Sequence, residues 1–243
     1  MEQITKLDWD SDFFEKRVGK VLISCENTFA GELFKNEASE NYDLVYVFSY
    51  GKMLTKNEVL FGDLELVDIM ITMSMPFDSN LYKNNEYDFK TAMTLKEVKE
   101  CHEIAEQTAI VSRFYDEEMI GPKKTKELYR KWIDNAFNNS FSDGMFVVKD
   151  ENCIAGVHLI KVAADNAIGY FTLTGVNSTK KKSGFGRKLW NQSFGYFANE
   201  TNITKVSSVF SQRNLDSLNF HLKMGFNKVQ EVKYIYHFRN KNL

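Results

Sequence analysis

Ile168-Gly-Tyr-Phe-Thr-Leu-Thr-Gly-Val176, followed by Lys181-Lys-Ser-Gly184-Phe-Gly186-Arg-Lys-Leu189, is the stretch that decides the fold. Its first part is an apolar run of the β-branched and aromatic residues that suit a buried strand. A two-glycine turn follows, and Phe185 to Glu200 reads as a helix. The first amides of a helix lack intrahelical acceptors and sit at the positive end of its dipole, so they attract an anion. Lys181, Lys182 and Arg187 add charge around Ser183 and the glycines. Strand, turn and basic helix start together form a pyrophosphate cradle. A dinucleotide fingerprint would need a third glycine where Leu189 stands, and a P-loop would need its glycines five apart.

The chain closes this region with Asn214-Leu-Asp-Ser217-Leu-Asn-Phe-His221-Leu-Lys-Met-Gly225-Phe226. Val176, with Gly184 eight residues on and a basic residue three before it, resembles the acetyl-CoA signature of the GNAT acyltransferases, Arg/Gln-x-x-Gly-x-Gly/Ala. Lys181 stands where that family usually has Arg or Gln, keeping the charge but losing the planar donor set. The Asn214–Phe226 run resembles the family's second signature, with His221 where Tyr is commoner. The resemblance implies acetyl-CoA as co-substrate and no metal. It implies that the peptide groups of Leu173, Thr174, Gly175 and Val176 pair with pantetheine and that Asn214 bonds the cofactor. Amides from Lys182 through Phe185 and Gly186 to Arg187 would take the pyrophosphate, both glycines keeping a Cβ off the phosphates. His221 would serve the leaving thiolate, as an imidazolium acid or with a neutral N–H aimed at sulfur.

Leu7-Asp-Trp9-Asp10-Ser11-Asp-Phe13-Phe14, Ser112-Arg113-Phe114 and Tyr129-x-x-Trp132-Ile133 narrow the resemblance. Their order is similar to dTDP-fucosamine acetyltransferase and related nucleotide-amino-sugar acetyltransferases, which implies a dTDP-linked amino-deoxyhexose as acceptor. Arg113 is then expected on a nucleotide phosphate, and Tyr129 and Trp132, three apart on one helix face, on the base or sugar. Core packing for the aromatic pair and an ion pair for Arg113 stay open. So do a different amine (a protein terminus, polyamine or antibiotic), a non-catalytic CoA-binding module and a homodimer. His158, Tyr170, Asp165, Glu118 and a water relay are all candidates for the base.

Composition is that of a globular protein, 43% hydrophobic and 26% charged, with formal net charge −2, which argues against wholesale binding to nucleic acid or an anionic membrane. No apolar run approaches a membrane span, the N-terminus lacks a signal-peptide core, and three cysteines without metal-ligand spacing point to the cytoplasm. The 20 Phe and 11 Tyr suggest an aromatic core.

Periodicity predicts strands at 18–24, 42–48 and 66–75, with helices at 28–38 and 56–61 between them. A polar tract at 78–88 marks a boundary, giving a small α/β domain over 1–85 and the acetyltransferase domain over 90–243. Val59–Ile71 echoes the layout of His221–Lys233, helix end, glycine, strand, so the first domain reads either as a degenerate partial copy without the cradle or as a recurrence of a common arrangement. In the second, Thr94 with Glu97 caps a helix, 124–138 forms another, 145–148 and 154–162 form a hairpin, and strand 206–210, helix 215–223 and strand 229–238 follow. The fold class is α/β, a mixed sheet with helices on both faces.

Overall fold

The apolar runs become strands of a single mixed sheet in the computed structural model, which describes residues 3–90, 92–137, 142–165 and 167–241. The N-terminal half runs β1 (Thr5–Lys6), α1 (Asp8–Phe14), β2 (Val18–Ile23), α2 (Gly31–Asn41), β3 (Leu44–Tyr50), α3 (Lys56–Phe61) and β4 (Leu64–Pro76). The C-terminal half runs α4 (Leu95–Thr108), α5 (Gly121–Phe137), β5 (Gly144–Asp150), β6 (Cys153–Val162), β7 (Ile168–Val176), α6 (Phe185–Glu200), β8 (Lys205–Ser211), α7 (Leu215–Lys223) and β9 (Lys228–Arg239). The expected capping box forms: Thr94 Oγ1 accepts from the Glu97 amide while Glu97 returns a bond to the Thr94 amide. The last residue of the predicted second helix, Asn138, lies outside the described residues.

Strand order is β1-β2-β3-β9-β4-β8-β7-β6-β5. Each half contains a parallel pair followed by a helix and a third strand: β2 and β3 with β4, and β7 and β8 with β9. The third strands are exchanged. β4 pairs antiparallel with β8 of the other half, β9 pairs antiparallel with β3, and β4 and β9 meet in the middle. The echo between 59–71 and 221–233 is thus a topological repeat, α3–Gly62–β4 matching α7–Gly225–β9. The boundary expected near 85–90 falls in the connection from β4 to α4, and strands from both sides of it share the sheet.

Alternation along the strands sorts the core by face. Tyr46, Val147, Val157 and Leu159 face α4 and α5, packing on Ile104, Leu128 and Ile133. Phe146, Phe171 and Phe210 face the other way, onto Trp190, Phe194 and Phe197 of α6. In the N-terminal half Val45, Val47 and Phe238 pack on Phe34 and Ala38 of α2. Phenylalanine fills this core, as composition suggested. The polar tract at 78–88 is strapped down: Tyr82 packs on Phe77 and Phe194, and the Asn85 carbonyl lies where a Cβ on Gly195 would stand, 2.4 Å away.

Two local readings change. Residues 8–14 form a short helix with Trp9 stacked on Phe13 at 5.0 Å, where no element was expected. The helix expected from 28 begins at Gly31, because the Phe29 amide donates to Glu58 Oε1 at 3.0 Å and holds residues 28–30 off the helix.

Because β9 completes the N-terminal half, the protein should unfold in one transition. Phe238→Ala opens a cavity against Phe34, whose ring stands 5.8 Å away. It should cost about 3–5 kcal/mol and shift that single transition, followed in urea by circular dichroism and tryptophan fluorescence together. Two transitions, only one of them shifted, would contradict the exchange.

Candidate functional site

β7 and β8 run parallel only from Ile168–Phe171 against Lys205–Ser208. There β7 carries a bulge: Phe171 opposes Ile160 and Leu173 opposes Leu159, leaving Thr172 extra. From Thr172 to Val176, β7 has no strand on its β8 side, and the two strands diverge. The corresponding pair in the N-terminal half stays joined through all six residues of β2.

The divergence opens a cleft of about 1010 Å³. At one end lies the glycine turn. Gly184 adopts φ 85° at the N-cap of α6, and no side chain caps that helix, so its first amides face outward unclaimed. Lys181, Lys182 and Arg187 have no carboxylate within 4.0 Å among the described residues, whereas Lys180 is bonded to Asp150. The two glycines serve different needs. Gly184 needs its positive φ, and a Cβ there would meet nothing within 4 Å. At Gly186 a Cβ would stand 3.2 Å from the Phe220 ring, so this glycine lets α6 approach α7. Ser183 is exposed beside Gly184, and the Phe185 ring is buried, under the Lys188 ammonium.

Along the cleft wall, His158 Nδ1–H donates to the Leu173 carbonyl at 3.0 Å, Trp190 Nε1–H donates to Thr174 Oγ1 at 3.1 Å, and Gly175 packs on Ile104. Val176 lines the opening. Asn214 Oδ1 accepts from the Ser217 amide at 3.0 Å, which makes Asn214 the N-cap of α7.

His221 is buried, and both ring nitrogens are engaged. Nδ1–H donates to the Ser217 carbonyl at 2.7 Å, so Nε2 is left to accept from Ser208 Oγ, also at 2.7 Å. Burial pushes its pKa down to about 4. A neutral ring with its N–H turned away thus replaces the expected imidazolium acid and the expected N–H on sulfur. Ser208, the partner of Nε2, itself lines the cleft.

At the far end the cleft is walled by Arg113, Phe114, Tyr129, Trp132 and Asp68. The Arg113 guanidinium lies 4.0 Å from the Phe114 ring centroid, 5.3 Å from that of Tyr46 and 5.8 Å from that of Phe48. Its Nε is buried without an acceptor, and Asp68 and Asp10 act on it electrostatically with no ion pair to it among the described residues. Tyr129 is 9% exposed and part of the core, its ring 4.4 Å from that of Trp132. Tyr46 and Phe48 come from the N-terminal half, a contribution that local motifs did not signal.

The N-terminal half offers no such cradle. The turn before α2 carries Glu26 rather than lysines, and the Glu58 carboxylate already occupies the Phe29 amide. Among the described residues no group of three or more His, Cys, Asp or Glu could hold a metal, and no helix is long and apolar enough to cross a membrane.

Burial also pushes His158 down to about 3. Both histidines stay neutral in the fold while the unfolded chain takes up protons below about pH 6.5, so stability is full above that pH. It falls on acidification through the window down to about 4 for His221 and about 3 for His158. Each should contribute a slope of about 1.4 kcal/mol per pH unit in that window, read from urea midpoints between pH 7.5 and 4.5. His221→Gln should reduce the slope; stability independent of pH would contradict the neutral, buried assignment.

The acetyltransferase (GNAT) family model matches residues 103–226, just over half of the chain. No curated protein matches the chain in sequence. Among solved structures, a conserved protein of unknown function from Staphylococcus epidermidis superposes with a TM-score of 0.64 at 11% identity, covering 92% of this chain and 85% of that one. A tandem GNAT protein from the clavulanic acid biosynthesis pathway superposes with a TM-score of 0.55 at 10% identity, covering 93% of this chain and 76% of that one. These likenesses concern the fold, and they extend over both halves of the sheet. With the family model spanning α4 to the end of α7, this chain belongs to the GNAT family of acetyltransferases.

Proposed function

We propose that the protein transfers the acetyl group of acetyl-CoA directly to the amine of a dTDP-linked amino-deoxyhexose. The observation that carries the acceptor assignment is Arg113. The guanidinium is held among aromatic rings with its Nε unbonded, Asp68 and Asp10 act on it without forming an ion pair, and a planar fork suits a phosphate. Trp132 beside it, backed by the buried Tyr129 ring, offers a ring face to a base or sugar.

Acetyl-CoA lies with its pyrophosphate on the amides from Lys182 to Arg187 and Lys181 alongside. Pantetheine follows the open edge of Leu173 to Val176 as an added strand would, and Asn214 flanks it. The thioester reaches the point of divergence, where the Ser208 hydroxyl meets the sulfur. His221 acts there as a positioning residue, fixing that hydroxyl from the buried side. Orientation of the two substrates along one cleft supplies most of the acceleration. Residues 90–243 carry this machinery, while 1–85 act as a degenerate copy that lends β4 and part of the acceptor wall. The work is cytoplasmic.

Purified protein should release CoA from acetyl-CoA with dTDP-amino-sugars in preference to peptides, polyamines and aminoglycosides. Activity confined to the latter would remove the sugar. Arg113→Ala should raise KM for the nucleotide-sugar about 10- to 100-fold and leave acetyl-CoA affinity alone; a loss of acetyl-CoA affinity instead would misplace the acceptor. Gly184→Val, forced into a left-handed conformation, should weaken acetyl-CoA binding at least about tenfold in calorimetry, and unchanged affinity would remove the cradle from the account.

A further inference from the structure

We infer that Asp68, on the strand contributed by the N-terminal half, is the general base that deprotonates the acceptor amine. The assignment rests on the acetyltransferase reading of the cleft but not on the identity of the sugar.

Sequence alone placed His158, Tyr170, Asp165 and Glu118 on an equal footing. None of them lines the cleft. His158 is sealed in the core with Nδ1 spent on the Leu173 carbonyl, and Asp165 caps the Ala167 amide on the surface. Among the described residues, two carboxylates do line the cleft, Asp68 and Asp216. Asp216 stands on the exposed first turn of α7. Asp68 is 5% exposed and shares the acceptor end with Arg113 and Tyr129.

A bulge aims it there. Leu66 opposes Tyr236, but Asp68 opposes Ile235, so Val67 is an extra residue in β4. Without it Asp68 would share the face of Leu66 and Tyr236, toward the core under α2. The additional residue turns the carboxylate to the face of Arg113 and Tyr129. Once there, the carboxylate is fixed by one oxygen only. Oδ1 accepts from Ser211 Oγ at 2.6 Å and from the Ile69 amide at 2.8 Å. Among the described residues no donor reaches Oδ2. The Arg113 guanidinium shares this end of the cleft and offsets the buried charge, while Oδ2, which no donor holds, is the oxygen placed to take a proton from an acceptor ammonium. Arg113 and Tyr129 are the titratable groups that act on it electrostatically from the elements packed against β4.

The step balances without further reagents. The ammonium gives one proton to Asp68 Oδ2, and the freed nitrogen lone pair forms the C–N bond at the thioester carbonyl. The carbonyl re-forms as the C–S bond breaks, the electron pair leaves on sulfur, and the thiolate takes the second nitrogen proton. Asp68 then returns its proton to solvent. Without an amine, a water in the same place would lose its proton to Asp68 and hydrolyse the thioester slowly.

Asp68→Asn preserves the Oδ1 acceptor and removes the base. The test measures CoA release from acetyl-CoA by wild type, Asp68→Asn and Asp68→Glu across pH, once with a dTDP-amino-sugar and once with no amine, with acetyl-CoA affinity as the check on folding. Expected is a loss of about 10²- to 10⁴-fold in kcat for Asp68→Asn at neutral pH, lessening as pH rises and the amine or water is deprotonated in solution. Asp68→Glu, which keeps a carboxylate, should recover part of the rate. Loss confined to the amine-free reaction, with the sugar inert for wild type, would remove the sugar and keep the base. Asp68→Asn rates equal to wild type in both reactions, or a loss that Asp68→Glu does not relieve and pH does not change, overturn the proposal.

Discussion

The whole arrangement depends on β8 being hydrogen-bonded along one edge by a strand that belongs to the other half. A cleft between neighbouring parallel strands requires them to part, and a parted strand exposes backbone donors and acceptors that must be satisfied elsewhere. β7 leaves β8 after Phe171 and Ser208, while β4 stays paired with β8 from Met70 to Pro76. β8 is thereby held flat against β4 while its other edge opens. The same strand carries Asp68 into the opening and anchors it on Ser211, the last residue of β8. Exchange of third strands accordingly does two things at once: it supports the split sheet and brings Asp68 and Met70 to line the cleft.

The two halves finish the same order of elements differently. Both contain strand, helix, strand, helix, strand in the same order. In the C-terminal half α6 begins at a glycine with φ 85° that has no side-chain cap, beside Lys181 and Lys182 and where β7 and β8 part. In the N-terminal half the strands stay joined and the carboxylate of Glu58, which also closes the capping box of α3, takes up an amide before α2. The Phe29 amide ahead of α2 is thus already taken by a side chain of the same half.

Much of this could be read from the chain. The run 168–189 announced strand, turn and helix because a buried strand and a glycine N-cap are local matters. The Thr94–Glu97 box and the helix–glycine–strand echo were visible for the same reason. The exchange of β4 and β9 was not visible, since it pairs residues 129 to 141 apart in β4–β8 and 183 to 195 apart in β3–β9 and leaves no mark in either strand's periodicity. His221 was placed correctly in its helix, but its partners Ser208 and the Ser217 carbonyl, which fix its proton, could not be read from spacing. Asp68 did leave a trace, as a lone carboxylate in Leu66-Val-Asp-Ile-Met-Ile71. A charge inside an otherwise apolar strand is uncommon without a partner or a task. Its face, however, was set by a bulge, and a bulge one residue long inverts any reading based on alternation.

The central claim is that the main-chain donors at the start of α6 and the parted edge of β7 form a site for acetyl-CoA, and that the chain has one such site. Calorimetric titration of the intact protein with acetyl-CoA measures this directly, since it reports both affinity and stoichiometry. The account predicts saturable binding of one molecule per chain. No binding, or two molecules per chain, would contradict it.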